Sequence, residues 1–304
     1  MATVRELARI FKLDGFAKLA EPMAAHTSFR MGGPADLYVL PANADEAAGV
    51  LRVCARESVP AFLLGGGTNI LVSDSGFRGV VVDMSRLTGI RADGTLVAAQ
   101  AGTPVSEVAE FALALGFSGL EFAYALPGSM GGAVWMNARC YGAECSDVLE
   151  YVDCLGPDLQ VRRYLMNRAD WSYKRSPFQD GRHVILEAGL RLAPGERSVM
   201  EKLMRSHRSD REGKGHFLHP CAGSIFKNNR TFGAPTGQLI DSLGLKGTRI
   251  GGAQVAPFHG NIFINTGDAR ATDMRALIEL VEREVRARLG LELEREVILV
   301  GDWD

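Results

Sequence analysis

The stretch Ala61-Phe-Leu-Leu-Gly-Gly-Gly-Thr-Asn-Ile-Leu-Val-Ser73 places three consecutive glycines between two short apolar segments. The apolar segments predict two buried strands, and the glycines predict the turn that joins them. A turn without side chains can point several backbone N–H groups at one spot, an arrangement that suits a pyrophosphate. The stretch is not a Rossmann fingerprint, because Ile70 stands where that motif needs a small residue. An ordinary glycine turn is therefore the alternative interpretation.

A second glycine-rich segment, Pro127-Gly-Ser-Met-Gly-Gly-Ala133, combines the same features: exposed amides, one small hydroxyl and no bulky side chains. Two such segments in one half of a chain are harder to dismiss than one, so a dinucleotide site and a pair of ordinary turns become equally good interpretations. Because both segments are poor in cationic side chains, backbone amides would have to carry the phosphate charge.

The sequence around these loops predicts short strands mixed with amphipathic helices. Asn43 is a typical N-cap, and the apolar residues of 272–289 recur with helical spacing. Since the predicted elements do not alternate regularly, the pattern favours the α+β class over a doubly wound sheet. The predicted helices cover 4–11, 43–54, 104–115, 196–211 and 272–289, and the predicted strands include 37–40, 61–64, 70–73, 80–83, 96–100 and 291–300.

The chain has 304 residues, enough for two or three domains with a sizeable core. A formal net charge of −2 argues against a general nucleic-acid binder. No apolar run reaches the roughly 18 residues of a membrane helix, and the charged N-terminus lacks the apolar core of a signal peptide. The five cysteines contain no C-x-x-C pair, so we expect reduced thiols in a cytoplasmic protein and no zinc site.

The C-terminal third contains candidate groups for acid–base chemistry. Residues 221–228, Cys-Ala-Gly-Ser-Ile-Phe-Lys-Asn, place a hydroxyl, a cation and an amide after a flexible glycine, a set that can protonate and orient an anionic substrate. A surface turn is the alternative. Glu292, Glu294 and Glu296 alternate along a predicted strand and would share one face, for which a solvated acidic face is the alternative. His259 and Asn261 are equally open to a structural interpretation.

Taken together, these segments resemble the UDP-N-acetylenolpyruvoylglucosamine reductases, flavoenzymes that complete UDP-N-acetylmuramate for bacterial peptidoglycan. The resemblance spans about residues 26–301, and the order of its motifs along the chain makes it specific. The motifs are Thr27-Ser-Phe-Arg-Met-Gly-Gly-Pro-Ala35, Leu64-Gly-Gly-Gly-Thr-Asn69, Pro127-Gly-Ser-Met-Gly-Gly-Ala-Val134, Ala222-Gly-Ser-Ile-Phe-Lys-Asn228, Gly247-Thr-Arg-Ile-Gly-Gly-Ala-Gln254 and Leu293-Glu-Arg-Glu-Val297.

The resemblance implies an FAD-binding domain of the vanillyl-alcohol-oxidase type, made of two α+β subdomains at 1–85 and 86–205, and a substrate domain at 206–304. It implies two cofactors, NADPH and an FAD held non-covalently by the glycine loops. NADPH would reduce the flavin, which would pass hydride to C3 of UDP-N-acetylglucosamine enolpyruvate before a proton reaches C2. No nucleic-acid, membrane or obligate protein partner is expected.

The family's functional residues carry over to matching positions of this chain. Ser224 matches the proton donor, and Glu296 matches a carboxylate that acts near the substrate carboxyl group. Protein donors are needed there because negative charge develops on the substrate carboxylate during hydride transfer. No metal ligand is expected. The remaining assignments are Tyr173, Lys227 and Asn228 for substrate binding, and Arg30, Gly65, Gly66, Gly67, Thr68, Asn69, Pro127, Gly128, Ser129, Gly131 and Gly132 for cofactor binding.

Two departures from the family pattern concern cationic side chains. The family usually has Tyr-Arg-x-Ser where this chain has Tyr173-Lys-Arg-Ser176, so Lys174 stands where an arginine pairs with the developing charge. Lys174 keeps the charge but lacks the bidentate fork, and Arg175 beside it is a second catalytic candidate. We expect an extended segment, in which Arg175 points away from Lys174 and cannot simply replace it. Arg139 and Cys140 also stand where the family has smaller residues, near the expected flavin loop.

Two other functions remain compatible with the FAD-binding motifs. One is a different flavoenzyme on the same scaffold, such as an oxidase of small alcohols or sugars, against which residues 222–228 and Glu296 argue. The other is a catalytically silent flavin-binding or regulatory protein, favoured only by Lys174. The chain length and the lack of an extra tyrosine-bearing loop favour the shorter, type II subtype of the family.

Overall fold

The computed structural model describes Leu7 and residues 17–303, which form helices mixed with short strands. The helix predicted over residues 4–11 lies outside the described residues, apart from Leu7. The helices are α1 (Ala44–Arg56), α2 (Val105–Ala114), α3 (Met130–Trp135), α4 (Arg197–Gly213), α5 (Thr236–Ser242) and α6 (Ala271–Leu289). The strands are β1 (Ala17–Pro22), β2 (Pro34–Val39), β3 (Ala61–Leu64), β4 (Ile70–Val72), β5 (Phe77–Asp83), β6 (Ile90–Asp93), β7 (Leu96–Gln100), β8 (Phe117–Ser118), β9 (Arg139–Cys140), β10 (Ala143–Glu144), β11 (Leu149–Leu155), β12 (Val161–Leu165), β13 (Val184–Arg191), β14 (Ala193–Pro194), β15 (Cys221–Ser224), β16 (Arg249–Ile250), β17 (Ala253–Val255), β18 (Ile262–Asn265) and β19 (Ile298–Val300).

The chain divides into two compact units, each assembled from three separate segments. Unit 1 combines Met1–Leu19, Leu37–Gly66 and Gly79–Asp210. Unit 2 combines Ala20–Asp36, Gly67–Arg78 and Arg211–Asp304. The three predicted domains, in contrast, are consecutive along the chain, and their boundaries stay a prediction.

The first sheet of unit 1 has the strand order β1-β2-β5-β3, and α1 packs against it. Strand β3 pairs in parallel with β5, with Ala61 opposite Val80. Asn43 caps α1 as predicted, because its side chain accepts the N–H of Glu46 at 2.9 Å. Since β3 is the edge strand, the glycine loop that follows Leu64 leaves the sheet at its border.

The second sheet of unit 1 is antiparallel and has the order β12-β11-β13-β7-β6. Helices α2 and α3 bury their apolar side chains, among them Val108 and Val134, in the same core cluster as this sheet. Trp171 and Phe178 extend the cluster beneath the loops that follow β12. This packing fixes α3, and with it the second glycine-rich segment, on the body of unit 1.

Unit 2 contains the antiparallel sheet β15-β18-β17-β16 and the helices α5 and α6. Its core includes Phe226, Phe263 and the inner side of α6, represented by Leu277. A separate two-stranded pairing joins β19 to β4 in parallel, with Ile298 opposite Ile70. The unit therefore depends on chain segments that are more than 200 residues apart in sequence.

Asp74 anchors the first turn of α6. Its two carboxylate oxygens accept the N–H groups of Ala271 at 2.9 Å and Thr272 at 3.0 Å, and the Arg270 guanidinium lies 3.7 Å away. Burial alone would raise the pKa of Asp74, but these amides and Arg270 hold it below its usual value. The interaction satisfies backbone donors that a helix start leaves without partners.

The predicted helices and strands from residue 37 to 289 are confirmed, with ends within three residues of the prediction. The strand predicted over residues 291–300 is wrong in its first part, since only Ile298–Val300 is a strand. Its partner β4 has three residues, so the parallel pairing ends there, and of residues 291–297 only Arg295 forms a β-bridge, an isolated antiparallel one with Phe226. Glu292 and Glu294 are exposed whereas Glu296 is half-buried, so the three carboxylates do not form one strand face.

Candidate active site

The two glycine loops lie against each other in unit 1. A Cβ atom added to Gly66 would lie 2.6 Å from Gly128 Cα, and one added to Gly65 would lie 2.7 Å from Ser129 Oγ. Because carbon atoms normally approach no closer than about 3.5 Å and Gly128 Cα belongs to the backbone, only glycine at position 66 permits this contact between the loops. The structure thus brings four of the predicted cofactor residues together.

The backbone of the second loop is held by the turn between β7 and α2. Gly128 O accepts the N–H of Val105 at 3.1 Å, and the N–H of Met130 donates to Thr103 O at 2.8 Å. Ser129 caps α3, with its Oγ accepting the N–H of Gly132 at 3.3 Å. These bonds fix the path of the loop.

The N–H of Gly131 is also engaged, donating to Ala101 O at 2.8 Å. A Cβ on Gly131 would lie 2.9 Å from Ala101 Cβ, so this glycine is required for packing. The amides of Gly131 and Gly132 are thus occupied within the protein. Their predicted contact with a cofactor would have to use other atoms.

Three backbone donors at the meeting point of the loops are available to a ligand. Within the described residues, the N–H groups of Gly66, Gly128 and Ser129 make no hydrogen bond to another residue. Backbone amides close together, at residues with no side chain or a small one, match the chemistry of phosphate oxygens. The arrangement therefore fits the pyrophosphate of FAD, which Gly65, Gly66, Gly128 and Ser129 would hold.

The remainder of the first loop belongs to unit 2. Gly67 has φ +62° and a Cβ there would lie 2.0 Å from His26 O, so glycine is required at this position. Its carbonyl accepts the N–H of Ser28 at 3.0 Å, which joins the loop to the segment that carries Arg30. Arg30 is exposed and Thr68 is half-buried. The predicted cofactor residues are thus divided between the two units, and their contacts with a cofactor stay a prediction.

Ser224 lies at a β-bulge at the end of β15. Cys221 pairs with Ile264 and Ser224 with Ile262, so β15 contains one more residue than its partner over this interval. Gly223, inside the bulge, has φ +70°, a conformation that favours glycine. Since bulges turn the direction of the residues that follow, this glycine sets the orientation of the half-buried Ser224 side chain.

The segment that carries Glu296 lies beside Ser224. Its N–H donates to Ile225 O at 2.7 Å, and its carbonyl accepts the Asn69 Nδ2 group at 3.0 Å. Ser224 and Glu296, 72 positions apart in sequence, are thus on neighbouring backbone segments of unit 2. Their predicted catalytic roles remain predictions.

Asn261 is a positioning residue whose function the sequence left open. It is 2% exposed, its Oδ1 accepts the N–H of Phe226 at 2.9 Å, and its Nδ2 donates to Phe226 O at 2.8 Å. Its own carbonyl accepts the N–H of Ile225. One amide side chain therefore fixes the backbone directly after Ser224. The signal available in the sequence was a polar residue immediately before the apolar strand that begins at Ile262.

The two predicted substrate-binding residues after Ser224 have partners within unit 2. Lys227 Nζ forms an ion pair with Glu294 Oε1 at 2.7 Å, and the Lys227 side chain is 15% exposed. Asn228 Oδ1 accepts the N–H of Thr236 at 2.9 Å and so holds the start of α5. Both positions are structurally fixed, and their contact with substrate stays a prediction.

Tyr173 and Lys174 occupy the centre of a tight turn in unit 1. The N–H of Ser172 donates to Arg175 O at 3.2 Å, the N–H of Arg175 donates to Ser172 O at 3.0 Å, and Lys174 has φ +59°. The prediction of an extended segment is therefore wrong, because these reciprocal bonds close the chain on itself. The alternation argument against Arg175 no longer applies.

Hydrogen bonds connect this turn to the C-terminal end of α3. Gln179 Nε2 donates to Lys174 O at 3.1 Å and to Trp135 O at 2.9 Å. Asn137, which is fully buried, donates from Nδ2 to Ser172 O at 3.0 Å. Because α3 begins at the second glycine loop, one short helix connects that loop with the turn that carries Lys174.

Arg139 lies over the face of Tyr173, with 5.8 Å between the guanidinium carbon and the ring centroid. Its Nη1 atom is 3.6 Å from Glu144 Oε2, and Glu144 also pairs with Arg168 at 2.8 Å. Burial alone would raise the pKa of Glu144, but hydrogen bonds led by that of Ser146 hold it below its usual value. Arg139 thus contacts the Tyr173 side of the turn.

Comparison with known proteins agrees with this geometry. Residues 35–163 match the family described as FAD binding domain, and residues 215–300 match the C-terminal domain of UDP-N-acetylenolpyruvoylglucosamine reductase. The reductase of Treponema denticola is 42% identical over 95% of this chain and 95% of its own length. The chain belongs to the UDP-N-acetylenolpyruvoylglucosamine reductase family. The reductase of Caldanaerobacter subterraneus, 40% identical over 98% of both chains, supports the same assignment.

Solved structures confirm the fold of this member of the reductase family. The UDP-N-acetylenolpyruvylglucosamine reductase of Thermus caldophilus superposes with a TM-score of 0.79 at 29% identity, over 93% of this chain and 98% of its own. A variant of Phl p 4, a glucose oxidase, shares the fold at a TM-score of 0.50 and 12% identity, over 64% of this chain and 45% of its own. The predicted α+β fold with an FAD-binding domain is confirmed. The chain is an FAD-dependent oxidoreductase.

Three further observations concern metals, membranes and thiols. Within Leu7 and 17–303, no cluster of His, Cys, Asp or Glu is arranged to hold a metal ion. None of the helices in the same described part is long and apolar enough to span a bilayer. The five cysteines are free, and burial raises the pKa of Cys54 to about 11 and that of Cys145 to about 12. These two thiols therefore remain protonated at neutral pH.

Proposed function

We propose that this protein reduces the enolpyruvyl group of UDP-N-acetylglucosamine enolpyruvate to give UDP-N-acetylmuramate, with NADPH as the electron donor, in the cytoplasm. The observation that carries the proposal is the pairing of the Ser224 and Glu296 segments within unit 2, in a chain of this reductase family. In the balanced reaction NADPH becomes NADP⁺, hydride is added to C3, and a proton is added to C2. The double bond between C2 and C3 becomes a single bond.

FAD, when bound, supplies the two-electron carrier between NADPH and the substrate. The meeting glycine loops support its non-covalent retention, because Gly66, Gly128 and Ser129 offer amides and no reactive side chain except one hydroxyl. Acid precipitation should therefore release the flavin from the polypeptide. Flavin that sediments with the chain would contradict non-covalent binding.

In this proposal, Ser224 gives the proton to C2. Its hydroxyl is a weak acid, so its position matters more than its acidity, and the bulge at Gly223 with the Asn261 bonds provides a fixed position. Glu296 acts beside the substrate carboxyl group. Lys174 is the cation for charge that develops on the substrate carboxylate, with Arg175 as the adjacent candidate.

The decisive assay is consumption of NADPH that depends on UDP-N-acetylglucosamine enolpyruvate, with UDP-N-acetylmuramate identified by mass spectrometry. Turnover of small alcohols or sugars with oxygen, and none with this substrate, would instead indicate an oxidase. Bound flavin without any turnover would indicate a silent flavin-binding protein. The same assay with NADH in place of NADPH compares the rates that the two nicotinamide donors support.

Stopped-flow measurement of Ser224→Ala tests the proton donor. The first half-reaction, in which NADPH bleaches the flavin absorbance, should keep its rate. The second half-reaction, in which the enolpyruvyl substrate restores the absorbance, should slow by about 10²–10⁴-fold, the usual loss for a general acid. Ser242→Ala, at an exposed serine of α5, is the matched control and should change neither rate. Equal slowing of both half-reactions would mean that Ser224 acts through folding.

A further inference from the structure

Lys174 has a backbone conformation that is unfavourable for a residue with a side chain. Its φ of +59° lies in the left-handed region, where the Cβ atom crowds the following carbonyl oxygen. A strained residue of this kind persists only where its surroundings hold it, and such residues are concentrated at active sites. Lys174 is also half-buried, whereas the neighbouring Arg175 is exposed. Some contact must therefore maintain this conformation of Lys174.

Gln179 contacts the backbone of Lys174 directly. Its Nε2 atom donates to Lys174 O at 3.1 Å and to Trp135 O at 2.9 Å. A carboxamide nitrogen has two N–H donors, so these two bonds use both of them. Because a peptide group is planar, the bond to Lys174 O fixes the peptide that follows Lys174 and thus its ψ angle. One half-buried side chain thereby ties the conformation of Lys174 to the last residue of α3.

Other bonds hold the residues around Lys174 rather than Lys174 itself. Asn137 Nδ2 donates to Ser172 O at 3.0 Å. The reciprocal bonds between Ser172 and Arg175 close the turn without a contribution from Gln179. Loss of the Gln179 carboxamide should therefore leave the turn closed, while the conformation of Lys174 within it is no longer held.

The conformation of Lys174 matters for a reaction because electrostatic stabilisation depends on placement. A cation stabilises developing negative charge most effectively when it is already in position before the charge appears. A lysine carries a point charge on a flexible four-carbon stem and lacks the pre-organised planar fork of an arginine. The backbone at Lys174 must therefore supply order that the side chain lacks.

We propose that Gln179 is a positioning residue for the reduction of the substrate and that it acts through Lys174. The inference rests on the proposed function, in which the Lys174 ammonium group stabilises the charge that develops on the substrate carboxylate. By holding Lys174 in its left-handed conformation, the Gln179 carboxamide directs the ammonium group toward that charge. This role requires no contact between Gln179 and the substrate.

A double-mutant cycle on the purified full-length holoenzyme tests this role. Gln179→Met keeps the length of the side chain and removes both donors. Gln160→Met is the matched control, since Gln160 is exposed in the turn between β11 and β12. Stopped-flow absorbance measures the two half-reactions of each variant, with saturating enolpyruvyl substrate in the second. Urea denaturation of the same preparations measures their stability.

Gln179→Met should slow the second half-reaction about tenfold or more, as expected for a misplaced stabilising group, and leave flavin reduction by NADPH unchanged. Added to Lys174→Ala, it should slow the second half-reaction less than about twofold further, because no ammonium group remains to be directed. The fall in the urea midpoint that lost hydrogen bonds cause should persist in both backgrounds. Equal slowing in both backgrounds, or a second half-reaction at the rate of Gln160→Met, would overturn the proposal.

A crystal structure of Gln179→Met provides a readout that needs no turnover. Lys174 should change its φ or ψ angle in the variant, and retention of both wild-type angles would overturn the proposal. Should Gln179→Met not fold, Gln179→Glu is judged by the same criteria, since an ionised carboxylate has a similar shape and no donor. An inactive wild-type enzyme would refute the proposed function, whereas an active one with any of the contrary outcomes refutes only the role of Gln179.

Discussion

Gly66→Ala tests whether the meeting glycine loops hold FAD. The added Cβ would lie 2.6 Å from Gly128 Cα, about 1 Å closer than carbon atoms normally approach. Gly128 cannot retreat freely, because its carbonyl accepts the N–H of Val105 and the next residues are bonded to the turn before α2. The strain must therefore separate the loops or displace a ligand between them.

The expected cost follows from known overpacking. An extra methyl group in a closely packed site costs about 1–3 kcal/mol. If that cost falls on the bound state, the dissociation constant of FAD rises about 5- to 150-fold, since 1.4 kcal/mol corresponds to about tenfold. Flavin fluorescence quenching measures the dissociation constant, and urea denaturation measures the free energy of unfolding in the same preparation.

Gly49→Ala is the matched control for this substitution. Gly49 lies inside α1, has no atom within 4 Å of an added Cβ, and should become more stable by about 0.5–1 kcal/mol because alanine favours the helix. Its FAD affinity should not change. Gly66→Ala protein that unfolds more easily but binds FAD normally would refute the reasoning and favour the ordinary glycine turn.

Three further predictions concern single side chains. Lys174→Ala should lower kcat about 10²–10³-fold and far more than Arg175→Ala in steady-state assays, and the opposite ranking would assign the substrate charge to Arg175. The pKa of Asp74 is lower in the folded protein than its unfolded value of about 3.9, so Asp74 stabilises the fold above that pH and loses this contribution as the pH falls through the folded pKa. On acidification, the urea midpoint of the wild type should therefore fall more than that of Asp74→Asn, and equal falls would contradict this role. Asn261→Ala leaves the N–H and the carbonyl of Phe226 unpaired and should reduce the free energy of unfolding by about 1–3 kcal/mol for each of these two groups. Urea denaturation measures this loss, and an unchanged midpoint would show that the two bonds do not stabilise the fold.

The sequence predicted local elements well where local physics determines them. Asn43 caps α1 through a residue three positions later, and the apolar spacing of 272–289 defines the buried side of α6. Neither helix needs residues distant in sequence to be predicted. The glycine loops were also recognisable, because the absence of side chains is itself visible in a sequence. The contact between Gly66 and Gly128 could not be recognised in the sequence, because two segments 62 positions apart meet only through tertiary packing.

The errors arose where partners distant in sequence decide the conformation. Residues 291–297 have an alternating pattern, yet β4 is too short to pair with them. Lys174 adopts a left-handed turn because Ser172 and Arg175 bond each other, and Gln179 fixes the result. The role of Asn261 was equally hidden, because its function is to bond Phe226, which lies 35 residues earlier.

The parallel pairing of β4 with β19 has a consequence for synthesis of the chain. Ile70–Val72 is made early, but its partner Ile298–Val300 leaves the ribosome more than 200 residues later. At about 5–20 residues per second, this apolar strand waits on the order of ten seconds or longer with its edge unpaired. The time for which β4 lacks its partner is therefore set by the separation of two three-residue strands along the chain, and the stability of the finished fold does not shorten it.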